Sequence, residues 1–411
     1  MSRSGRLSGG VAAVLWTLAA QAAPSTDDKI NALSNDIDQL RAEVAQQRNS
    51  TSGNAAGTGT TLGGYGEINY NSRTIADDAT AATTPRIDLR RFVIFLGHKY
   101  SDDLHFYSEL EVEHAVASSE DHGEVELEQA FIDYRLGDSA SLKTGLFLIP
   151  LGILNETHEP PTYFGVERNF VETLIIPSTW REGGIGIYGE AGSGLRYDLG
   201  LTTGFDAGKI DNPNTGIASA HQELQFASAS DLSFYGALNY LGRPGLRLGG
   251  GVFTGNTGQD GASNPLLRGV SARLTLWDLH GQYRAGNLEL QAVYARGTLG
   301  DADKVSAALI AASADPTLIA PKTFYGWYGQ AAYHVWRKND ADVAPFVRYE
   351  RYNTQEKVAQ GYTANPLNEE TVTTVGANLN IHPQVVFKVD YQSFKTDRDK
   401  NRYDLGLGYM F

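Results

Sequence analysis

Short and long connections alternate along most of this 411-residue chain. Seven short turns, such as Gly192-Ser193-Gly194, interleave with eight longer connections, at residues 73–86, 115–123, 150–180, 206–230, 256–268, 299–322, 354–370 and 395–401. Antiparallel strands that run up and down the wall of a closed barrel produce this alternation when all long loops lie at one end. The connections therefore predict an even number of antiparallel strands, with both ends of the barrel on the side of the short turns.

The segments between these connections have the two-residue period of strands. We count sixteen, with centres near residues 67, 93, 109, 131, 145, 186, 200, 236, 251, 276, 293, 330, 348, 376, 390 and 407. In residues 104–114, leucine, phenylalanine and valine alternate with Glu109, Glu111 and Glu113. Residues 87–100 interrupt the alternation with a run of apolar residues at positions 92–96, which indicates either a β-bulge or a different phase of the strand. The chain is predicted to be all-β, with a sixteen-stranded antiparallel transmembrane β-barrel over residues 62–411.

Composition and the last strand agree with an outer-membrane barrel. The chain has 45 glycines, 21 tyrosines and 16 phenylalanines, which is typical of chains made of many short strands. The segment Arg402–Phe411 alternates apolar and polar residues and ends on phenylalanine. This end resembles the C-terminal signature of bacterial outer-membrane proteins.

The first 22 residues have the pattern of a signal peptide. Arg3 and Arg6 precede the short apolar segment Val11–Ala20, and Ala20-Gln21-Ala22 matches a cleavage site. We expect an exported precursor that is cut after Ala22 and reaches the bacterial outer membrane.

Residues 23–48 are predicted to form a periplasmic coiled coil, followed by a linker at residues 49–61. Apolar residues recur with spacings of three and four, at Ile30, Leu33, Ile37, Leu40 and Val44. A single amphipathic helix that packs on another surface is the alternative interpretation. The linker is rich in glycine, serine, threonine and alanine.

Several functions are disfavoured by what the sequence contains. The chain has no cysteine, which excludes disulfides, thiolate metal sites and cysteine nucleophiles. Its formal net charge of −14 disfavours nucleic acid as a partner. The nine histidines are scattered, and neither G-x-S-x-G nor H-E-x-x-H occurs. We therefore expect no enzyme activity, no cofactor and no metal site.

Several motifs resemble the phosphate-selective porin O and P family. They are Arg90-Arg91 and the stretches LKTGLFLIPLGILNE, FGVERNF and STWREGGIGIYG between residues 142 and 189. The resemblance covers residues 62–411 in architecture and about 86–190 in motif. It implies a trimeric sixteen-stranded porin whose third long loop folds into the pore. The N-terminal heptads resemble those of sugar porins with a periplasmic coiled coil, so a sugar also stays a candidate solute.

The expected function is passive diffusion of small hydrophilic solutes or ions, with phosphate and other anions as candidates. The expected partners are outer-membrane lipid, a small hydrophilic solute and two further copies of the chain in a homotrimer. The residues expected to line the pore are Glu109, Glu111, Glu113, Lys143, Arg196, Asp198, Arg247, Arg273, Arg348, Glu350, Lys388 and Asp390. Those expected in a constriction loop are Glu156, His158, Glu159, Glu167, Arg168 and Glu172, and an exposed cap is the alternative for this loop. The alternative function is a surface-loop adhesion or interaction barrel with a plugged lumen.

The strip formed by Glu109, Glu111 and Glu113 permits two interpretations. In an open lumen it would favour cations and weaken any anion preference. Alternatively, arginines on neighbouring strands, such as Arg90, Arg91 and Arg135, pair with these carboxylates and stiffen the wall.

Overall fold

The computed structural model describes residues 59–73, 84–118 and 123–411. The expected signal peptide, the expected coiled coil and residues 49–58 of the expected linker lie outside the described residues. The first strand begins at Gly59, so it includes the last three residues of that linker.

Seventeen β-segments make up the wall of the molecule. They are β1 (Gly59–Asn71), β2 (Arg86–Lys99), β3 (Leu104–Glu113), β4 (Val125–Gly137), β5 (Ala140–Leu148), β6 (Arg181–Ala191), β7 (Leu195–Thr202), β8 (Ser233–Arg243), β9 (Leu246–Gly255), β10 (Leu274–Ala285), β11 (Leu288–Leu299), β12 (Thr323–Tyr333), β13 (Trp336–Lys338), β14 (Ala341–Lys357), β15 (Glu369–His382), β16 (Val385–Phe394) and β17 (Arg402–Met410). β12 and β13 both pair with β14 and together form one barrel strand. The barrel therefore has sixteen strands, as predicted, and each predicted centre falls within one of them.

The sheet is closed and antiparallel. Each strand pairs with its neighbours in the sequence, and β1 also pairs with β17. Tyr65 is thus opposite Val93 on one side and Met410 on the other. Closure leaves no free sheet edge to pair with another chain.

The two faces of the wall differ strongly in polarity. On β16 and β17 the side chains of Phe387, Val389 and Leu405 are 44%, 47% and 48% exposed, whereas Lys388 and Asp390 between them are buried. Successive strand residues point to opposite faces, so the alternation gives an apolar outside and a polar inside.

Two bulges lie close together at the end of the barrel that carries the long loops. The register between β1 and β2 shifts beside Glu67, which leaves Arg90 as the extra residue. This bulge lies within residues 87–100, but it precedes the apolar run at positions 92–96 from which an irregularity was inferred. A second shift between β3 and β4 leaves Glu128 as the extra residue opposite Glu109 and Leu110. Bulges redirect side chains, and this one adds a glutamate to the inner face of β4.

The helices are short and lie in the long loops. The α-helix α1 (Ala302–Ser313) lies in the sixth long loop. One π-helical turn (Val171–Ile175) lies in the third, and 3-10 turns are at Pro160–Thr162, Ala207–Lys209, Ala218–Ala220, Gln259–Gly261, Pro265–Leu267, Pro366–Asn368 and Arg398–Lys400. Within the described ranges, no helix has both the length and the apolar character needed to cross a membrane.

The barrel encloses a hydrophobic core built largely from loops. Residues 149–180, called the inner loop below, pack together with the fourth, fifth and sixth long loops. Trp180 is fully buried, and its ring centroid lies 5.1 Å from that of Phe205 and 4.6 Å from that of Phe253. The loops at this end are therefore held by side-chain packing, as in the interior of a soluble protein.

We expect Trp180→Ala to lower the free energy of unfolding by about 3–5 kcal/mol, because it leaves a large cavity among buried rings. Equilibrium unfolding in urea, followed in lipid vesicles, measures the change. Phe226→Ala is the matched control: Phe226 is fully exposed, so its loss should change stability by less than about 0.5 kcal/mol. Equal effects of the two substitutions would contradict a packed loop core.

Candidate functional site

The inner loop crosses the interior of the barrel. It leaves the wall after Leu148 and returns at Arg181. Between these points its backbone binds carboxylates on distant strands: the Val166 N–H donates to Asp390 Oδ2 (2.6 Å), and the Phe170 N–H donates to Glu350 Oε2 (2.8 Å). Both carboxylates are on the inner face, so the loop lies within the lumen.

A buried carboxylate, Glu172, holds the shape of the inner loop. Glu172 Oε1 accepts hydrogen bonds from the backbone N–H groups of Ile153 (2.5 Å) and Leu154 (2.8 Å). Glu172 Oε2 accepts from Asn169 Nδ2 (3.0 Å) and from the Tyr328 hydroxyl (2.7 Å) on β12. Charge-assisted bonds of this kind are stronger than neutral ones, so Glu172 joins the first residues of the loop to its later part and to the wall.

Aromatic side chains of the loop pack against aromatic side chains of the wall. The ring of Phe164 lies 5.5 Å from that of Phe346. The ring of Phe170 lies 5.6 Å from that of Tyr352 and 5.5 Å from that of Phe394. These apolar residues interrupt the polar inner face, and they lie where the loop covers it.

Four residues expected to line the pore lie beneath this loop. Arg348 Nε pairs with Glu350 Oε1 (3.2 Å), and Arg348 Nη1 donates to the Phe164 carbonyl oxygen (3.1 Å). Lys388 Nζ lies 3.5 Å above the ring centre of Tyr163. Asp390 binds the loop backbone as described above. All four are on the inner face, but the loop buries them away from solvent.

The opposite side of the lumen presents charged side chains that are less deeply buried. Lys143 Nζ pairs with Asp198 Oδ2 (2.5 Å). Arg247 Nη2 lies 3.7 Å from Glu156 Oε2 of the inner loop. Arg196, on the inner face of β7, is exposed. Basic wall residues therefore face an acidic residue of the loop, and a polar solute could contact both.

The other inner-loop residues predicted from the sequence form hydrogen bonds within the loop or to the wall. Asn71 Nδ2 donates to Glu167 Oε1 (3.0 Å). Burial raises the pKa of Glu167, but the charges of Arg90 and Arg402 outweigh it and lower the pKa to about 2. Arg168 Nη1 donates to the hydroxyls of Ser178 and Thr179, each at 2.7 Å. The Glu159 carbonyl oxygen accepts from the Thr162 N–H (2.9 Å) and closes a turn.

Arg273 was expected to line the pore, but it does not lie on the inner face of the wall. It precedes β10, is exposed, and has the phase opposite to the buried Leu274 and Leu276. The sequence does not show where β10 begins, and a shift of one residue moves a side chain to the other face.

Two carboxylates of the acidic strip, Glu111 and Glu113, pair with Arg91, and the third, Glu109, lies beside His158. Glu109 and Glu111 are 2% and 1% exposed. Arg91 lies between three carboxylates, with nitrogen–oxygen distances of 2.8 Å to Glu67, 3.5 Å to Glu111 and 3.8 Å to Glu113. This geometry favours the interpretation in which arginine pairs with the strip.

Two glutamates of β4 were missed at the sequence level. Glu126 and Glu128 point into the same region as the strip, and Glu128 is completely buried. The segment Val125–Gln129 repeats the alternation of glutamates seen in β3, which is the signal that could have indicated them. The bulge at Glu128 interrupts the strict alternation of inward and outward side chains, and the pore-lining residues were predicted from that alternation.

The closed sixteen-stranded barrel with a loop folded into its lumen is the fold of outer-membrane porins. The chain is similar to OmpF of Salmonella typhi in complex with daunomycin (TM-score 0.58, 14% identity, covering 86% of this chain and 98% of that one). It is also similar to the outer-membrane channel DcaP of Acinetobacter baumannii (TM-score 0.55, 12% identity, 87% and 99% covered). A third similar structure is an anion-selective porin from Comamonas acidovorans (TM-score 0.53, 12% identity, 86% and 100% covered).

The chain belongs to the same family as an uncharacterized protein of Aquifex aeolicus. The two are 31% identical over 361 residues, which are 86% of this chain and 80% of that protein. No protein-family model matches the chain. The resemblance to phosphate-selective porins therefore stays a prediction from the motifs.

Proposed function

We propose that this protein is an outer-membrane porin through which small hydrophilic solutes or ions diffuse passively. The observation that carries the proposal is the closed barrel with an apolar outer face and a charged inner face. Such a wall is stable in lipid because every strand hydrogen bond is satisfied within the sheet. Polar solutes that pass inside it avoid about 30 Å of hydrocarbon.

The charged side of the lumen supports a preference for small anions, with phosphate among the candidates. Arg196 and Arg247 are the least buried basic residues on the inner face described above, and Arg91 pairs with Glu111 and Glu113 of the acidic strip. Fixed charges that line a narrow passage raise the local concentration of ions of opposite sign. The similarity in fold to an anion-selective porin agrees with this preference.

A barrel with a plugged lumen, whose loops bind an external partner, is the second candidate. The loop core around Trp180 favours it, because residues of four long loops pack together inside the barrel. In this case the protein would be an interaction module rather than a channel.

Planar-bilayer recording tests the two candidates. The porin predicts stepwise ionic conductance, a reversal potential shifted toward that of chloride in a KCl gradient, and block by added anions. Phosphate and a neutral sugar are the two solutes to compare. A correctly inserted barrel without conductance would overturn the porin proposal and support the plugged barrel.

We also propose that the chain is a homotrimer. One similar structure is the trimer form of OmpT from Vibrio cholerae, and the expected coiled coil would join three barrels on the periplasmic side. Deletion of residues 25–50 should therefore weaken the trimer without unfolding the barrel. Light scattering in mild detergent and unheated gel electrophoresis measure both properties. A full-length protein that is monomeric in mild detergent would contradict the trimer.

A further inference from the structure

Two strands of the wall and the inner loop bring three potential metal ligands together. Glu109 on β3, Glu128 on β4 and His158 on the inner loop each offer one ligand atom, and these atoms all lie within 4.8 Å of one another. The three side chains are almost completely buried, at 2%, 0% and 3% exposure. They are contributed by separate segments, so only the fold brings them together.

The distances fit ligands of a shared ion better than direct hydrogen bonds. His158 Nε2 lies 3.5 Å from Glu109 Oε1 and 3.8 Å from Glu128 Oε2. These separations exceed the usual range of hydrogen bonds between nitrogen and oxygen. Two ligand atoms about 2.0–2.2 Å from one tetrahedral ion are roughly 3.3–3.6 Å apart. His158 Nε2 and Glu109 Oε1 both lack a hydrogen-bond partner among the described residues.

The second ring nitrogen of His158 directs the first toward the carboxylates. His158 Nδ1 lies 3.0 Å from the carbonyl oxygen of Asn155, and a carbonyl can only accept a hydrogen bond, so Nδ1 carries the proton. In the neutral ring, Nε2 then has a free lone pair. A histidine whose other nitrogen donates to a backbone carbonyl is typical of metal sites. Gln129 Nε2 likewise donates to Glu109 Oε2 (2.7 Å), which orients that carboxylate.

Glu109 and Glu128 of this triad differ from the neighbouring glutamates in that no arginine or lysine of the described residues forms an ion pair with them. Glu111 pairs with Arg91, and Glu126 pairs with Arg181 at 2.6 Å. Both oxygens of Glu128 also lack a hydrogen-bond partner in the part of the chain that the structure describes. A buried carboxylate without such partners is costly, and a bound cation would remove that cost.

We propose that Glu109, Glu128 and His158 bind one divalent first-row transition metal ion, of which Zn²⁺ is the best match. One imidazole and two carboxylates suit zinc, which accepts both nitrogen and oxygen ligands. The ion joins the inner loop to β3 and β4, on the side of the barrel opposite the Glu172 anchor to β12. It therefore holds the loop across the lumen from both sides. This assignment does not depend on the barrel being a conducting channel.

Metal content of protein extracted from outer membranes tests the proposal. After dialysis against micromolar Zn²⁺ and removal of free ion, mass spectrometry of the wild type should show about one zinc per chain. Glu128→Gln and His158→Gln should each weaken Zn²⁺ binding at least roughly tenfold. Glu113→Gln and His114→Gln are the matched controls, because these neighbours lie outside the triad, and both should keep the ion.

Three results would overturn the proposal. One is a wild type that stays below about 0.1 zinc per chain under these conditions, which would show that His158 only forms an ion pair with the glutamates. Another is equal loss of zinc from the controls. If the triad variants do not fold, X-ray absorption on the zinc-loaded wild type replaces them. The spectrum should show zinc bound to an imidazole and to oxygen ligands. A spectrum without imidazole scattering is the third result that would overturn the proposal.

Discussion

Excision of residues 157–177 should raise single-channel conductance at least roughly twofold, because the inner loop narrows the passage and pore width controls ion flow. The design uses the contact between the two ends of the loop. Asn155 Nδ2 donates to the carbonyl oxygen of Trp180 (2.9 Å), and the Trp180 N–H donates to Asn155 Oδ1 (2.7 Å). A few glycine and serine residues can therefore replace the excised segment without moving the wall.

Barrel folding is the control for this excision. Heat-dependent mobility on gels should stay as in the wild type, because strand pairing does not involve residues 157–177. The variant also exposes Arg348 and Lys388, which the loop covers in the wild type. Unchanged conductance from a folded variant would show that ions do not pass the inner loop.

Arg196→Gln combined with Arg247→Gln should shift the permeability ratio toward cations by about two- to threefold, because both residues contribute fixed positive charge on the inner face and neither is buried. The reversal potential under a KCl gradient measures the shift. Recording at low salt is necessary, since at 0.1 M the screening length is about 10 Å.

The acidic strip provides the matched comparison. Glu111→Gln combined with Glu113→Gln removes as many charges, but Glu111 is 1% exposed and both carboxylates pair with Arg91. We expect the reversal potential of this variant to stay near that of the wild type. A shift toward anions in the strip variant, without any shift in the arginine variant, would show that the strip faces the permeating ions.

The architecture of the barrel was accessible from the sequence because strands have a local signal. Alternation over a few residues, as in Leu104–Glu113, marks a wall with two different faces. The alternation of short and long connections then indicates that successive strands are antiparallel neighbours. The irregularity within residues 87–100 was located only approximately, because the apolar run at positions 92–96 follows the bulged Arg90 rather than containing it. Arg273 was expected to line the pore but precedes β10, because little local signal marks where that strand begins.

The accessibility of the inner face could not be predicted from the sequence. Lys388 and Arg196 both have the phase of inward residues, yet Lys388 is buried and Arg196 is exposed. What separates them is the path of the inner loop, and that path depends on contacts such as Val166 with Asp390, which lie 224 residues apart. No local pattern encodes such a contact.

The sequence by itself therefore determined the barrel, its sixteen strands and the alternation of polar and apolar residues along the wall, because each rests on interactions between neighbours in the chain. Only the tertiary structure decided which charges meet solvent and that Glu109, Glu128 and His158 converge. The reason is physical: a β-bulge redirects Glu128, and a loop anchored to distant strands carries His158 across the lumen.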